Sequence, residues 1–145
     1  MALASKLNHD GIRVYCICGD GEMQEGQVWE AAMTSSHYKL DNLCLIIDNN
    51  NLQIDGKVDE VMSIYPLDKK LKSFGFEVMS IDGHDFNQII GALNKAKTIK
   101  GKPTAIIART IKGKGVSFME NVPEWHGKAP KEEEYKIAME ELRYV

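Results

Sequence analysis

The sequence lacks the features of several protein classes. No apolar run approaches the length of a membrane span, and the first residues do not have the pattern of a secretory signal. Three cysteines, two of them separated by a single residue, are too few for a disulfide framework. A net charge of −3 gives no basis for binding to nucleic acid or to an anionic membrane. We therefore expect a cytoplasmic protein with neither kind of partner.

Two common nucleotide-binding motifs are also missing. Gly19 and Gly21 satisfy the start of the dinucleotide fingerprint G-x-G-x-x-G, but Gln24 stands where the third glycine belongs. No G-x-x-x-x-G-K-[ST] occurs either. The carboxylate of Asp20 lies inside the glycine turn, where it would repel a diphosphate unless a cation lay between them. The pattern favours a diphosphate that a metal ion bridges to the protein.

The composition is that of an ordinary globular domain. Of the 145 residues, 43% are hydrophobic and 27% charged, and no repeat or low-complexity linker divides them. The first seven residues favour a helix, but no N-cap signal precedes them and a turn follows at once. We expect residues 1–145 to form a single, partial domain that is truncated at its N-terminus, as a fragment or as a natural truncated or split form.

Apolar periodicity predicts an α/β fold with a mainly parallel sheet flanked by helices. The runs at residues 14–18 and 43–47 are short and rich in β-branched residues or cysteine, which predicts buried parallel strands. Residues 76–81 and 104–108 predict two more strands. Helices are predicted at 27–39, 66–74 with Pro66 in its first turn, 85–97 and 130–145, a surface loop at 57–64, and irregular structure at 118–127.

Polar turns follow the first two predicted strands, at Gly19–Gly21 and at residues 48–51. The carboxyl ends of parallel strands form the ligand-binding edge of open α/β sheets, so we expect Asp20 and Asn50 to lie side by side. Carboxylate and amide oxygens suit a small hard cation such as Mg²⁺, and a backbone carbonyl just past Asn50 could supply a third oxygen.

A soft-metal site is the alternative for this region. Cys16 and Cys18 share one face of the first strand, and Cys44 and His37 could join them. Neither a C-x-x-C pair nor a tetrahedral ligand set is visible, so we interpret the cysteines as small hydrophobic residues.

Four motifs resemble transketolase, a thiamine-diphosphate enzyme. GDGEMQEGQVWEAA at residues 19–32 and IIDNNNLQIDG at 46–56 are similar to its diphosphate motif, and Asn50 follows Asp20 at the spacing which that motif requires. RTIKGKG at 109–115 and WHGKAP at 125–130 are similar to later transketolase segments. The resemblance runs along nearly the whole chain. It implies the thiamine-diphosphate-binding fold, specifically the later part of the diphosphate-binding domain, as in the N-terminal subunit of split bacterial transketolases.

The resemblance also implies roles for individual residues. Asp20, Asn50 and the carbonyl of Leu52 would hold Mg²⁺ or Ca²⁺ against the diphosphate of thiamine diphosphate. Glu25 would be catalytic through a link between the two active sites of a dimer, and His126 would contact the diphosphate and assist at the substrate. Further cofactor contacts would come from Gly19, Gly21, Glu22, Ile54 and Lys112. For Ile54, ordinary core packing is an equal alternative.

The activity implied is the transfer of a two-carbon ketol unit from a ketose phosphate to an aldose phosphate, as in the pentose phosphate pathway. In the family, a second domain supplies the glutamate that activates the aminopyrimidine. The expected partners are therefore sugar phosphates, a second copy of the chain in a homodimer, and a pyrimidine-binding partner subunit. Two alternatives stay open: another thiamine-diphosphate enzyme, such as a deoxyxylulose-phosphate synthase or a pyruvate-dehydrogenase-type decarboxylase, and a truncated, non-catalytic module for cofactor binding or dimerisation.

Overall fold

Four parallel strands form the central sheet of the computed structural model, which describes residues 1–144. They are β1 (Val14–Gly19), β2 (Leu43–Asn49), β5 (Glu77–Asp82) and β6 (Thr104–Arg109), in the spatial order β1-β2-β6-β5. Two short strands, β3 (Leu52–Gln53) and β4 (Gly56–Lys57), form a separate antiparallel hairpin after β2. The predicted α/β class with a mainly parallel sheet is confirmed.

The helices connect the strands and cover the sheet. They are α1 (Ala2–Asn8), α2 (Gly26–His37), α3 (Val58–Val61), α4 (Leu67–Ser73), α5 (Phe86–Thr98) and α6 (Glu132–Glu141), with 3-10 turns at Gly21–Gln24, Pro123–Trp125 and Leu142–Tyr144. Among the described residues, no helix is both long and apolar enough to cross a membrane.

The core has one layer on each face of the sheet. Side chains alternate along β2, so Ile47 points to one face and Cys44 to the other. On the first face, Ile47 packs with Met23 and with Leu71 of α4. On the second, Cys44 packs with the side of α5 that carries Ala92 and Ala96. The sheet therefore lies between two helical layers. The carboxyl ends of its strands stay free for a site.

The strand predicted at residues 14–18 is confirmed, but the prediction that it is buried was wrong. β1 is an edge strand, and Tyr15, Cys16 and Ile17 are exposed, Ile17 to 71%. A strand is buried on both faces only when neighbours and helices cover it, and within residues 1–144 only β2 pairs with β1.

Three other boundaries differ from the prediction. The expected loop at residues 57–64 contains α3, because Val58 and Ile64 are anchored in the core with 0% and 3% exposure. Pro66 is the N-cap of α4, which begins at Leu67. The helix expected over 130–145 is α6 followed by a 3-10 turn, and Val145 lies outside the described residues.

The apolar faces of α5 and α6 are less buried than their periodicity predicts. Phe86, the first residue of α5, is 77% exposed because this helix contacts the sheet through Ala92 and Ala96 in its second half. In α6, Ala138 is buried, whereas Tyr135 and Met139 stay exposed.

Candidate functional site

A cleft of about 780 Å³ lies at the carboxyl ends of β1 and β2. All of the residues predicted for the site line it: Gly19, Asp20, Gly21, Glu22, Glu25, Asn50, Leu52, Ile54, Lys112 and His126. Five further lining residues were missed by sequence reasoning: Gln24, Gln27, Asp48, Gln53 and Asp55. The structure thus brings four separate motifs to one cleft, and the roles of the individual residues stay predictions.

Asp20 is the buried centre of the cleft, with only 1% of its surface exposed. Its N–H donates to the Asp48 carbonyl at 3.1 Å, which continues the pairing of β1 with β2. Oδ1 accepts the Gly21 N–H at 2.9 Å. Oδ2 accepts the Asn49 Nδ2 at 2.9 Å and the Asn51 N–H at 2.5 Å. The carboxylate is thereby held in one orientation by both turns.

The charge of Asp20 is only partly compensated by these contacts. Burial raises the pKa of its carboxyl, the hydrogen bonds from Asn49, Asn51 and Gly21 oppose that shift, and the charge of Asp48 adds to it. A divalent cation beside Asp20 would stabilise the ionised form. The other candidate metal ligands, Asn50 Oδ1 and the Leu52 carbonyl, are also hard oxygens, which fit Mg²⁺ or Ca²⁺. Within residues 1–144 no group of three His, Cys, Asp or Glu side chains could hold a metal, so the cysteine alternative is not supported.

The three consecutive asparagines have different environments. Asn49 contacts Asp20 and also donates from Nδ2 to the Tyr65 Oη at 2.6 Å. Asn50 accepts the Leu52 N–H on Oδ1 at 2.9 Å. Asn51 adopts a left-handed φ of 61°, which turns the chain back over the site. Asp20 and Asn50 line the same cleft as expected, but the asparagines that hydrogen-bond to Asp20 are the two on either side of Asn50.

The glycine turn is held tightly between two elements. A Cβ at Gly21 would lie 3.1 Å from the Cβ of Gln53, so the β3–β4 hairpin packs directly on the turn. The Glu22 carboxylate accepts the Gly19 N–H at 2.6 Å and so closes the turn on itself. Glu22 is predicted to contact the cofactor, and this structure shows what holds its side chain at the cleft.

Two basic side chains reach the cleft from the region after β6. Lys112 Nζ lies 3.5 Å from His126 Nδ1. The loop between them folds tightly, because a Cβ at Gly113 would lie 2.5 Å from the Met119 carbonyl oxygen. The neighbouring Trp125 is held by a 3.0 Å hydrogen bond from Nε1 to the Phe118 carbonyl. This region therefore supplies the side of the cleft that suits an anion.

The remaining candidate site residues differ in what surrounds their side chains. Ile54 is 72% exposed and lines the cleft, so the core-packing alternative for it is wrong. Glu25 precedes α2 at the N-cap position and makes no side-chain capping bond, so its carboxylate is not tied to the helix. His84 lies outside the cleft and accepts the Ile111 N–H on Nε2 at 2.8 Å, while Asp85 caps α5, so both hold the local backbone in place.

Comparison with known proteins agrees with this geometry. The family model described as "Transketolase, thiamine diphosphate binding domain" matches residues 2–144. The chain belongs to the transketolase family. It is 44% identical over 143 residues to an apulose-4-phosphate transketolase subunit of Actinobacillus succinogenes, covering 99% of this chain and 51% of that protein. It is 45% identical over 142 residues to a 6-deoxy-6-sulfo-D-fructose transketolase subunit of a Clostridium species, covering 98% and 52%.

The solved transketolase of Campylobacter jejuni superimposes with a TM-score of 0.89 at 39% identity, over 96% of this chain and 23% of that one. The chain spans about half the length of the two bacterial relatives. The resemblance to transketolase and the thiamine-diphosphate-binding fold are confirmed. These matches favour a transketolase over the other thiamine-diphosphate enzymes considered from the sequence.

Proposed function

We propose that this chain holds the diphosphate of thiamine diphosphate through a divalent metal ion, as one part of a transketolase-type assembly. The assembly would transfer a two-carbon ketol unit between sugar phosphates. The observation that carries the proposal is the buried carboxylate of Asp20 in one cleft together with Asn50 and Leu52, which offer further oxygens, and with Lys112 and His126.

The metal would be bound by three oxygens of this chain. Asp20 supplies a carboxylate, Asn50 its Oδ1, and Leu52 its backbone carbonyl, with the diphosphate and water completing the coordination. Asn50 Oδ1 has two lone pairs, so its bond from the Leu52 N–H leaves one for a cation. The donor set contains no sulfur or imidazole, which favours Mg²⁺ or Ca²⁺ over zinc.

The remaining residues of the cleft would bind and orient the cofactor and its substrate. Thiamine diphosphate supplies the electron sink for carbon–carbon bond cleavage when bound. Lys112 would neutralise diphosphate charge, and exposed Ile54 would lose its solvent contact by packing on the cofactor. His126 would donate to the diphosphate and hold or move a proton near the substrate, and Glu25 would lie at the subunit interface.

The rest of the assembly is proposed from the relatives. Both relatives are named as subunits of transketolases, which supports a separate partner subunit that carries the pyrimidine-binding domain. We also propose that the assembly contains two copies of this chain and that it is cytoplasmic. The two relatives are named for different sugars, apulose 4-phosphate and 6-deoxy-6-sulfo-D-fructose. We therefore propose phosphorylated or similarly substituted sugars as the substrate class and name no single substrate.

Calorimetric titration of thiamine diphosphate into the chain tests the proposal. We expect binding with Mg²⁺, none with a chelator, and none for Asp20→Ala. Asp82→Ala is the matched control, because Asp82 also ends a strand at this edge of the sheet but lies outside the cleft. The metal-bridged site would be contradicted if the wild-type chain bound thiamine diphosphate equally well with Mg²⁺ and with chelator. Binding by Asp20→Ala would contradict it as well.

A further inference from the structure

Asp48 lies near the end of β2 and uses its two carboxylate oxygens for two different partners. The Thr110 hydroxyl donates to Oδ1, and Asn50 Nδ2 donates to Oδ2 at 3.2 Å. Thr110 directly follows β6, and its N–H donates to the Asn49 carbonyl at 3.3 Å, so its position is set by the pairing of the two central strands. A hydroxyl anchored beside β6 is thus joined through Asp48 to the side chain of Asn50.

These contacts decide which way the amide of Asn50 faces. A carboxylate only accepts hydrogen bonds, so the nitrogen end of the amide must face Asp48. The Leu52 N–H only donates, and it lies 2.9 Å from the oxygen end. Turning the amide by half a rotation would place donor against donor and acceptor against acceptor. The oxygen of Asn50 therefore stays on the side of Leu52, the other proposed ligand.

We infer that Asp48 and Thr110 are positioning residues, which hold the oxygen of Asn50 toward the cation. The inference rests on the proposed function and adds two residues to it. Thr110 does not line the cleft, so its effect must pass through Asp48. Its hydroxyl occupies one oxygen of Asp48 and leaves the other for Asn50. Without that hydroxyl, the carboxylate is free to rotate away from Asn50.

Loss of positioning should affect two metals differently. Mg²⁺ demands near-ideal octahedral geometry at short distances, whereas Ca²⁺ accepts more ligands in flexible arrangements. A loosely held Asn50 oxygen should therefore weaken Mg²⁺ binding more than Ca²⁺ binding. A purely structural role for Thr110 would lower thermal stability without changing the ratio between the two metals.

The experiment compares Thr110→Val, Thr110→Ser and the wild-type chain. Thiamine diphosphate is titrated by calorimetry at graded Mg²⁺ or Ca²⁺, and the half-saturating metal concentration is measured, with thermal unfolding of each variant alongside. We expect Thr110→Val to raise the Mg²⁺ requirement by about tenfold and the Ca²⁺ requirement by less. Thr110→Ser should restore the wild-type values. Thr98→Val is the matched control, because the Thr98 hydroxyl donates only within α5, to the Lys95 carbonyl.

The outcomes distinguish failure of the proposed function from failure of the positioning role alone. If the wild type shows no metal-dependent binding, both the proposed function and this inference are overturned. If the wild type binds but Thr110→Val keeps the same Mg²⁺ to Ca²⁺ ratio, only the positioning role is overturned. Should Thr110→Val fail to fold, Asp48→Asn gives the same test, because an amide at this position cannot accept from Thr110 and Asn50 together as the carboxylate does. An unchanged metal ratio in that variant overturns the positioning role equally.

Discussion

Lys112 Nζ and His126 Nδ1 lie 3.5 Å apart on the wall of the cleft that contains Asp20. An ammonium group only donates, so a hydrogen bond between the two requires Nδ1 of His126 as the acceptor and the ring proton on Nε2. This leaves Nε2–H as the donor that His126 offers to another group. The pair therefore presents an ammonium and an imidazole N–H as two donors for an anion.

Replacing Lys112 with alanine should weaken thiamine-diphosphate binding by about tenfold, since a hydrogen bond to a charged group contributes about 1.5 kcal/mol. Lys114→Ala is the matched control. Lys114 lies two residues further on, outside the cleft, and pairs with Glu120 at 3.8 Å. Calorimetry at saturating Mg²⁺ measures the thiamine-diphosphate affinity of both variants. Equal losses of affinity in the two would contradict a specific role for Lys112.

Gly113→Ala should disrupt the loop that carries Lys112. The added Cβ would meet the Met119 carbonyl at 2.5 Å, and the backbone φ of +71° is strained for alanine. Gly101→Ala is matched in φ, at +75°, but has nothing within 4 Å of the new Cβ. We expect Gly101→Ala to cost about 1 kcal/mol of stability and to leave cofactor binding intact. Gly113→Ala should lose more stability in chemical denaturation and also lose cofactor affinity.

Ile54→Ala and Ile47→Ala should separate binding from stability. Ile47 is fully buried, so its truncation should lower the free energy of unfolding by about 2–5 kcal/mol. Ile54 is 72% exposed, so its truncation should change that free energy by less than about 0.5 kcal/mol while weakening cofactor binding. Urea denaturation and calorimetry measure the two effects. Unchanged cofactor binding in Ile54→Ala would contradict a contact between Ile54 and the cofactor.

One of the three cysteines should react much faster than the other two with a disulfide reagent at pH 8. Cys16 is exposed and should react first. Burial raises the pKa of Cys44 to about 11, so only about one molecule in a thousand carries its thiolate at this pH. The pKa of Cys18 is likewise raised to about 11, by burial and by the charge of neighbouring Cys16. One fast thiol per chain, lost in Cys16→Ser, is the expected result, and two fast thiols would contradict it.

Local sequence signals predicted much of the fold and the site. The runs that became β2 and β6 are nearly continuous in apolar residues, which is typical of central parallel strands. The helix predicted at 85–97 is α5, which Asp85 caps by accepting the N–H groups of Asn87 and Gln88. The failures came where burial depends on neighbours. Ile17 and Phe86 have the same apolar character as core residues, but nothing in residues 1–144 covers them.

The sequence by itself determined that two polar turns follow parallel strands and that one carboxylate lies between two glycines, because strand length, side-chain alternation and glycine placement are local properties. The tertiary structure decided which asparagines contact Asp20 and that Thr110 reaches Asp48. The first depends on the turn after β2, with its left-handed Asn51, and the second on β6 lying beside β2. Strand order and turn dihedrals follow from packing of the whole chain, so spacing along the sequence does not contain them.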